Sequence, residues 1–497
     1  MKAEQIISHT SEWNFESLKE FEWHIGQVAT EYGLDTFPNQ LEIINSEQMM
    51  DAYASVGMPI GYYHWSFGKQ FLSIEKNYRR GQMGLAYEMV INSNPCITYL
   101  LEENTAVMQA IVIAHACYGH NAFFKNNYLF KTWTHPEAII DYLLFARHYI
   151  TECEEKYGLT QVEDLLDSCH ALMNYGVDRY QHPPPLSAAQ ERQRQREREA
   201  YLQTQINILW STLPQKSSPK LKERPRFPLE PQENILYFIE KNAPLLEPWQ
   251  REIVRIIRKL AQYFYPQRQT KVMNEGWATF WHYTLLNTLY ERGQLSDAFM
   301  LEFLQHHTQV IFQPSFDKPY YNGINPYTLG NNIFNDLRRI CEYPTPEDKN
   351  WFPEIAGNDW LTTLDFAMRN FKDESFIAQY LSPKVIRDMR LFALADDERE
   401  PELIVTAIHN EAGYEAIRQI LAKQYDLSQI EPNIQVYEAK LKDDRSLTLR
   451  YVQHAGKSLA KNTLEVLKHV YRLWGFTVRL ETVDKRGKLL KTYQCPE

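Results

Sequence analysis

The sequence predicts a mainly α protein with α+β parts: a large helical domain over residues 1–400, then a small α+β domain over 401–497. Three observations carry this. Apolar residues recur at helical spacing through most of the first 400 positions. Beyond them, ELIVTAIHN, NIQVYEAKL, SLTLRYVQH and FTVRLETVD read as four strands, with helical stretches at 412–424 and 460–473 between them. The 497 residues also exceed what a single hydrophobic core usually serves, which implies more than one domain.

Residues 13–33 form an amphipathic pattern with Trp13, Leu18, Phe21 and Ile25 on one side, ended by DTFPNQ. A second helix over 46–56 has Ser46 as its expected N-cap. The segment GMPIGYYHWSFGKQF is rich in glycine and aromatics and reads as a loop. EMVINSNPCITYL reads as strand–turn–strand. TAVMQAIVIAHACYGHNAFFKNN then opens as a long apolar helix, and helices continue through 136–157 and 159–177. Residues 181–232 carry prolines at both ends and dense charge between, the pattern of an exposed excursion with a solvated helix. Helical periodicity returns over 233–265, from Asn274, and over 296–312 and 327–342. QPSFDKPYYNGINPYTLG lies between the last two.

Composition excludes several classes. Apolar residues make up 44% and charged residues 23%, an ordinary globular balance. The formal charge of -10 argues against nucleic acid and anionic membranes as partners. The six cysteines are scattered with no CxxC pair, so neither a zinc ribbon nor a disulfide framework is signalled, and a reducing cytoplasmic location is expected. The N-terminus lacks the apolar core of a secretory signal, and no apolar run approaches the ~20 residues that span a bilayer. No P-loop, dinucleotide fingerprint or GxSxG elbow occurs.

Two segments concentrate groups able to do chemistry. IVIAHACYGHNAFFKNN holds His115 and His120, and KVMNEGWATFWHY holds Glu275 and His282. Two imidazoles and a carboxylate can supply three ligands to a divalent ion and leave a fourth position for water. His282 follows Glu275 by two helical turns, so both can face one cleft. A polar site without metal, and core or capping roles, stand beside this reading. The substrate-binding candidates are His64 in YYHWSFGK, and Asn322, Asn325 and Tyr327 in YYNGINPYTLG, for which packing and turn formation are the rival readings. His306 and His307 are adjacent and cannot both face one point, so one is expected to be solvated.

The second segment resembles the glutamate helix of the gluzincin peptidases, whose aminopeptidase branch carries an NEGFA-like string where this chain reads NEGWA. The first is similar to their IAHExxH helix. That resemblance implies His115, His120 and Glu275 as metal ligands. His282 is a fourth candidate ligand, zinc is the expected ion, and Asn274 and Tyr118 are expected to orient the ligands, as groups behind a metal site generally do. The chain departs from the pattern at two points. Its histidines are five apart, which separates them by roughly 140° on a regular α-helix; a π-bulge, or a helix ending at Gly119, brings them together. The general base is missing, since Ala116 and Cys117 occupy its place, and Glu88 or Glu102 is the candidate substitute.

The combination HWSFGKQF, AHACYGHNAFFKNN, APLLEPWQREIVRIIRKLAQYFYPQ, TKVMNEGWATFWHY, GINPYTLG, IHNEAGY and EPNIQVYEAKLKDDRSLTLRY resembles the SpoVR family, named for stage V sporulation protein R, along nearly the whole chain. The resemblance implies a link to stress, stationary phase or the cell envelope, as in spore-cortex formation. It also implies a PrkA-like serine kinase and a von Willebrand-type-domain protein as partners. Two functions follow as expectations: a metal-dependent hydrolase of peptide or amide bonds on a degenerate gluzincin-like site, or a non-catalytic scaffold working with that kinase.

Overall fold

A computed structural model describes residues 6–7, 12–55, 60–80, 88–180, 193, 226–395, 404–453 and 457–496. Most of the expected excursion at 181–232 therefore lies outside the described residues. The chain divides into two compact units, residues 1–170 with 252–432 and residues 171–251 with 433–497. Among the described residues no helix is long and apolar enough to cross a membrane. The six cysteines are buried and none forms a disulfide.

In the first unit, helix α1 (Phe15–Glu31) starts at Asn14, which forms a capping box with Ser17, and it buries Leu18, Phe21, Ile25 and Val28. Trp13 precedes the helix and donates its Nε1 hydrogen to the Glu102 carbonyl at 3.2 Å. Strand β1 (Asn39–Ile44) leads into α2 (Ser46–Ala54), whose N-cap is Asn45 rather than Ser46, because the Asn45 carboxamide accepts the Gln48 N–H at 2.9 Å. Helix α3 (Trp65–Arg79) occupies much of the segment read as a loop, with His64 as its cap. The glycine–aromatic composition hid it, since a histidine N-cap carries no common start signal. Strands β2 (Glu88–Ile91) and β3 (Cys96–Leu101) form the expected antiparallel pair, and β1 joins β3 in parallel to give the order β1-β3-β2.

Next comes one continuous helical rod of three parts: α4 (Ala106–Val112), a π-helix (Ile113–His120) and α5 (Asn121–Asn126). The π-helical residues are all buried. Helix α6 (Lys271–Glu291) is apolar on nearly all sides and runs through the core, as such a helix must. Helices α7 (Asp297–Val310) and α8 (Pro326–Glu342) follow, the latter with proline at its first position and Asn325 as cap.

Two glycine contacts fix this arrangement. A Cβ on Gly276 of α6 would sit 2.4 Å from the Gly330 Cα of α8, and a Cβ on Gly119 of the π-helix would sit 2.6 Å from the Ala278 Cα of α6. Backbones approach that closely only where side chains are absent. The N-terminus of α6 is held by Asp373 of α9 (Asp373–Tyr380), whose two carboxylate oxygens accept the Val272 and Met273 N–H groups at 2.9 Å each.

Residues 401–432 fall within this first unit, beyond the expected division at 400. A two-stranded sheet of β4 (Ala393–Ala395) and β5 (Ile404–Ala407) precedes α10 (Glu411–Tyr425), whose Tyr414, Ile417 and Leu421 enter the same hydrophobic core as α6. The second unit carries a four-stranded sheet ordered β6 (Ile434–Ala439), β7 (Leu447–Val452), β8 (Val478–Val483) and β9 (Leu489–Cys495), with α11 (Thr463–Trp474) between β7 and β8. Gln232 bridges Val436 of β6, and Phe238 stacks on Trp474 at 6.0 Å. Strand β9 was not anticipated, because its LLKTYQC run is mostly exposed and lacks a clear alternation.

Two outcomes follow for stability. Gly276→Ala is expected to destabilise the fold by about 1–3 kcal/mol, read as a lower urea midpoint, because the added methyl meets backbone. Burial raises the Asp373 carboxyl to about 7 despite the backbone N–H groups that favour its anion. The folded chain then binds a proton there that the unfolded chain lacks, and the associated stability, full at low pH, fades as pH rises through about 7. Asp373→Asn should make the fall in stability between about pH 4 and 7, followed by urea midpoint, shallower by up to one proton.

Candidate metal centre

The π-helix resolves the five-residue spacing. Its i→i+5 hydrogen bonds widen the turn, so residues five apart stand nearly in line. The His115 and His120 rings are 4.6 Å apart and perpendicular, with both Nε2 atoms turned to one point. Gly119 lets α6 lie against this turn, which delivers Glu275 to the same point. Glu88, at the start of β2, reaches it from the sheet.

The distances are compact. The His115 Nε2 lies 3.5 Å from Glu88 Oε1 and 3.8 Å from Glu275 Oε2. The His120 Nε2 lies 3.9 Å from Glu88 Oε1 and 3.5 Å from Glu275 Oε2. These are too long for good hydrogen bonds. They are close to the about 3.4 Å that separates ligands held at 2.0–2.2 Å around a tetrahedral ion. The ligand atoms of Glu88, His115 and His120 all lie within 4.8 Å of one another. The Glu275 Oε2 is buried and makes no hydrogen bond, an arrangement that is costly unless something else meets it. The donor set of imidazoles and carboxylates suits zinc, manganese or iron.

Neighbouring groups hold the two histidines in place. The His120 Nδ1 donates to the Asn274 Oδ1 at 2.9 Å, which leaves its Nε2 lone pair facing inward. The Tyr327 ring stacks on His115 at 6.2 Å, and its hydroxyl favours the charged form of Glu275. The His115 Nδ1 meets the His282 Nδ1 at 2.9 Å, and the His282 Nε2 meets the His307 Nδ1 at 2.8 Å.

The electrostatics separate the two carboxylates. Burial, with the Glu275 charge nearby, raises Glu88 to about 7 against the opposing pull of His115. Burial also acts to raise Glu275, but His115 and His120 beside it outweigh burial and hold it below its ordinary value. His120 is lowered to about 4 by burial and by His115. His115 is raised, since Glu88 and Glu275 overcome its burial. Paired carboxylates pushed in opposite directions are what acid–base chemistry uses.

The other sequence candidates stand elsewhere. The Tyr118 hydroxyl donates to the Glu22 carbonyl at 2.9 Å, so it ties the π-helix to α1 and orients no ligand. Glu102 is exposed just beyond β3 and takes no part in the cluster's contacts. His282 stands behind His115 rather than beside it, because its Nδ1 faces the far side of that ring. His64 caps α3, with its Nδ1 2.6 Å from the Ser66 Oγ and its Nε2 3.3 Å from Asp167, and none of these partners belongs to the His115 cluster. Asn325 caps α8 and donates to the Val310 and Phe312 carbonyls, joining the ends of α7 and α8. Asn322 is exposed in the turn before Gly323. Of the adjacent histidines His307 is the buried one, and the sequence held a signal for it: Phe299, Phe303 and His307 recur every fourth position on the buried face of α7.

The comparisons with known proteins agree with one another. A profile described as SpoVR like protein matches residues 12–430, and one described as SpoVR-like C-terminal domain matches residues 432–485. The chain is 62% identical over 491 residues to the uncharacterized protein YcgB of Escherichia coli (strain K12), covering 99% of this chain and 96% of that protein. No solved structure matches it. The profile boundary at 430–432 falls where the first compact unit ends, and together these matches span nearly every residue, so the chain belongs to the SpoVR family.

Proposed function

We propose that this protein is a metal-dependent hydrolase of peptide or amide bonds, with His115, His120 and Glu275 as the ligands of a divalent ion, zinc first, and Glu88 as the acid–base group. The observation that carries the reading is the orphaned Glu275 Oε2, buried 3.5–3.8 Å from two inward-facing imidazole nitrogens. A bound metal supplies Lewis acidity and lowers the pKa of a water on it.

The chain's own residues would do the rest. Asn274 keeps the His120 lone pair directed inward, and the Tyr327 ring packs against His115. Glu88 supplies the carboxylate that the π-helix itself lacks, from a strand facing both histidines. Its proton affinity lies near neutrality, where a group can accept a proton from water and return it to a leaving amine. The stress- or envelope-related role that the family resemblance implies belongs to this same proposal, as does action in the cytoplasm. A scaffold acting with a PrkA-like kinase and a von Willebrand-type-domain protein is the reading that a metal-free protein would leave.

Elemental mass spectrometry on the tag-free protein should find close to one equivalent of zinc, iron or manganese, lost in folded His115→Ala and Glu275→Gln variants. A well-folded wild type that takes up none of these ions after reconstitution sinks the proposal. Glu88→Gln separates ligand from base. We expect it to retain metal while its cleavage of a short-peptide library, followed by mass spectrometry, falls by about 10²–10⁴-fold. Loss of metal in this variant would instead make Glu88 a ligand.

A further inference from the structure

Three imidazoles stand in line behind the proposed centre. The His115 Nδ1 contacts the His282 Nδ1 at 2.9 Å, and the His282 Nε2 contacts the His307 Nδ1 at 2.8 Å. All three side chains are buried. Nothing in a metal site requires a second and third histidine in such a row, and His282 is too far behind His115 to share its inward face.

Hydrogen counting restricts the row. A neutral imidazole has one N–H and one lone pair, and each contact between two imidazole nitrogens needs a single hydrogen. His282 is buried with an imidazole against each of its ring nitrogens and no carboxylate against either, so a charge on it would be an unpaired buried cation. The row then has two polarities. In the first, His115 carries its hydrogen on Nδ1 and donates to His282 Nδ1; His282 carries its own on Nε2 and donates to His307 Nδ1; His307 carries Nε2–H. In the second, every hydrogen sits on the other nitrogen, and His115 Nε2–H points at Glu88 and Glu275. Only the first leaves the His115 Nε2 lone pair free on the side of the carboxylates.

We infer that His282 and His307 are positioning residues that set the tautomer of His115, and that loading the site with a metal ion requires the whole row in the first polarity. This rests on the metal reading above. The change between polarities balances: one hydrogen leaves His115 at Nε2, one passes from His282 Nδ1 to His115 Nδ1, one passes from His307 Nδ1 to His282 Nε2, and one enters at His307 Nε2. Each ring remains neutral throughout.

Nitrogen-15 histidine spectra of the wild type with zinc test this without any substitution. The zinc-bound protein should show Nδ1–H at His115 and Nε2–H at both His282 and His307. Zinc bound with His307 in the Nδ1–H form overturns the inference. Zinc affinity by chelator competition gives an independent reading. His282→Leu, which removes the acceptor, should weaken zinc by about 10–100-fold. His282→Asn, whose carboxamide oxygen can accept from His115 Nδ1, should restore it to near the wild-type value. Equal affinity in the leucine variant, or equal weakness in both variants, also overturns the inference while the metal reading survives. A wild type that binds no zinc, manganese or iron removes the metal reading itself, and the inference with it.

Discussion

The arrangement depends on backbone meeting backbone along α6. Gly276 lies against Gly330 on one side, and Ala278 lies against Gly119 on another, at distances that admit no further side-chain atom. A helix pressed between two neighbours in this way has little freedom to slide or rotate, because packed interiors resist small displacements. Asn274 and Glu275 lie two and one residues before Gly276, so the same contacts that fix the helix fix the positions of a carboxamide and a carboxylate. The NEGWA string is thus one device: the polar pair faces the histidines, and the small residues allow the approach that makes this possible.

The π-helix is the second half of that device. Its wide turn costs regular hydrogen bonding, and such segments occur mostly at functional sites. Here it converts a spacing that would splay two imidazoles on an α-helix into one that points both at Glu88 and Glu275. It also sits beneath the three-stranded sheet, where Leu100 packs on Val112 and Ala116, so that the first residue of β2 can reach across. Four groups from three elements then meet at one point inside the core, and the two histidines are tied by neighbours, His120 by Asn274 and His115 by His282.

Much of this was legible in the amino-acid order and some was not, for physical reasons. The helical texture, the presence of a small C-terminal sheet and the family were readable from periodicity and long distinctive strings. His115, His120, Glu275 and Asn274 stood out because polar groups in apolar helices are costly without a purpose. The choice between Glu88 and Glu102 was not readable, because it depends on which face of a strand pair meets a helix far away in sequence. Tyr118 was misread for a related reason: on a π-helix its side chain turns towards α1. His64 was taken for a loop residue because its capping role is decided by Ser66 and Asp167, the latter about a hundred residues away. The adjacency of His306 and His307 does not say which is buried, whereas the fourth-residue recurrence of Phe299, Phe303 and His307 on α7 does.

The small sheet has a consequence for how the chain is made. Gln232 pairs with Val436, and Phe238 stacks on Trp474, so partners about two hundred residues apart must find each other. During synthesis the earlier partner leaves the ribosome long before the later one exists. Residues 252–432 emerge in between and belong to the other unit. Phe238 must therefore wait without its Trp474 partner, and Gln232 without Val436, until the last strands are delivered. Contacts of such long range slow folding and leave apolar surface open to the wrong partners, so newly made copies of this chain are natural clients for chaperones that bind exposed hydrophobic segments.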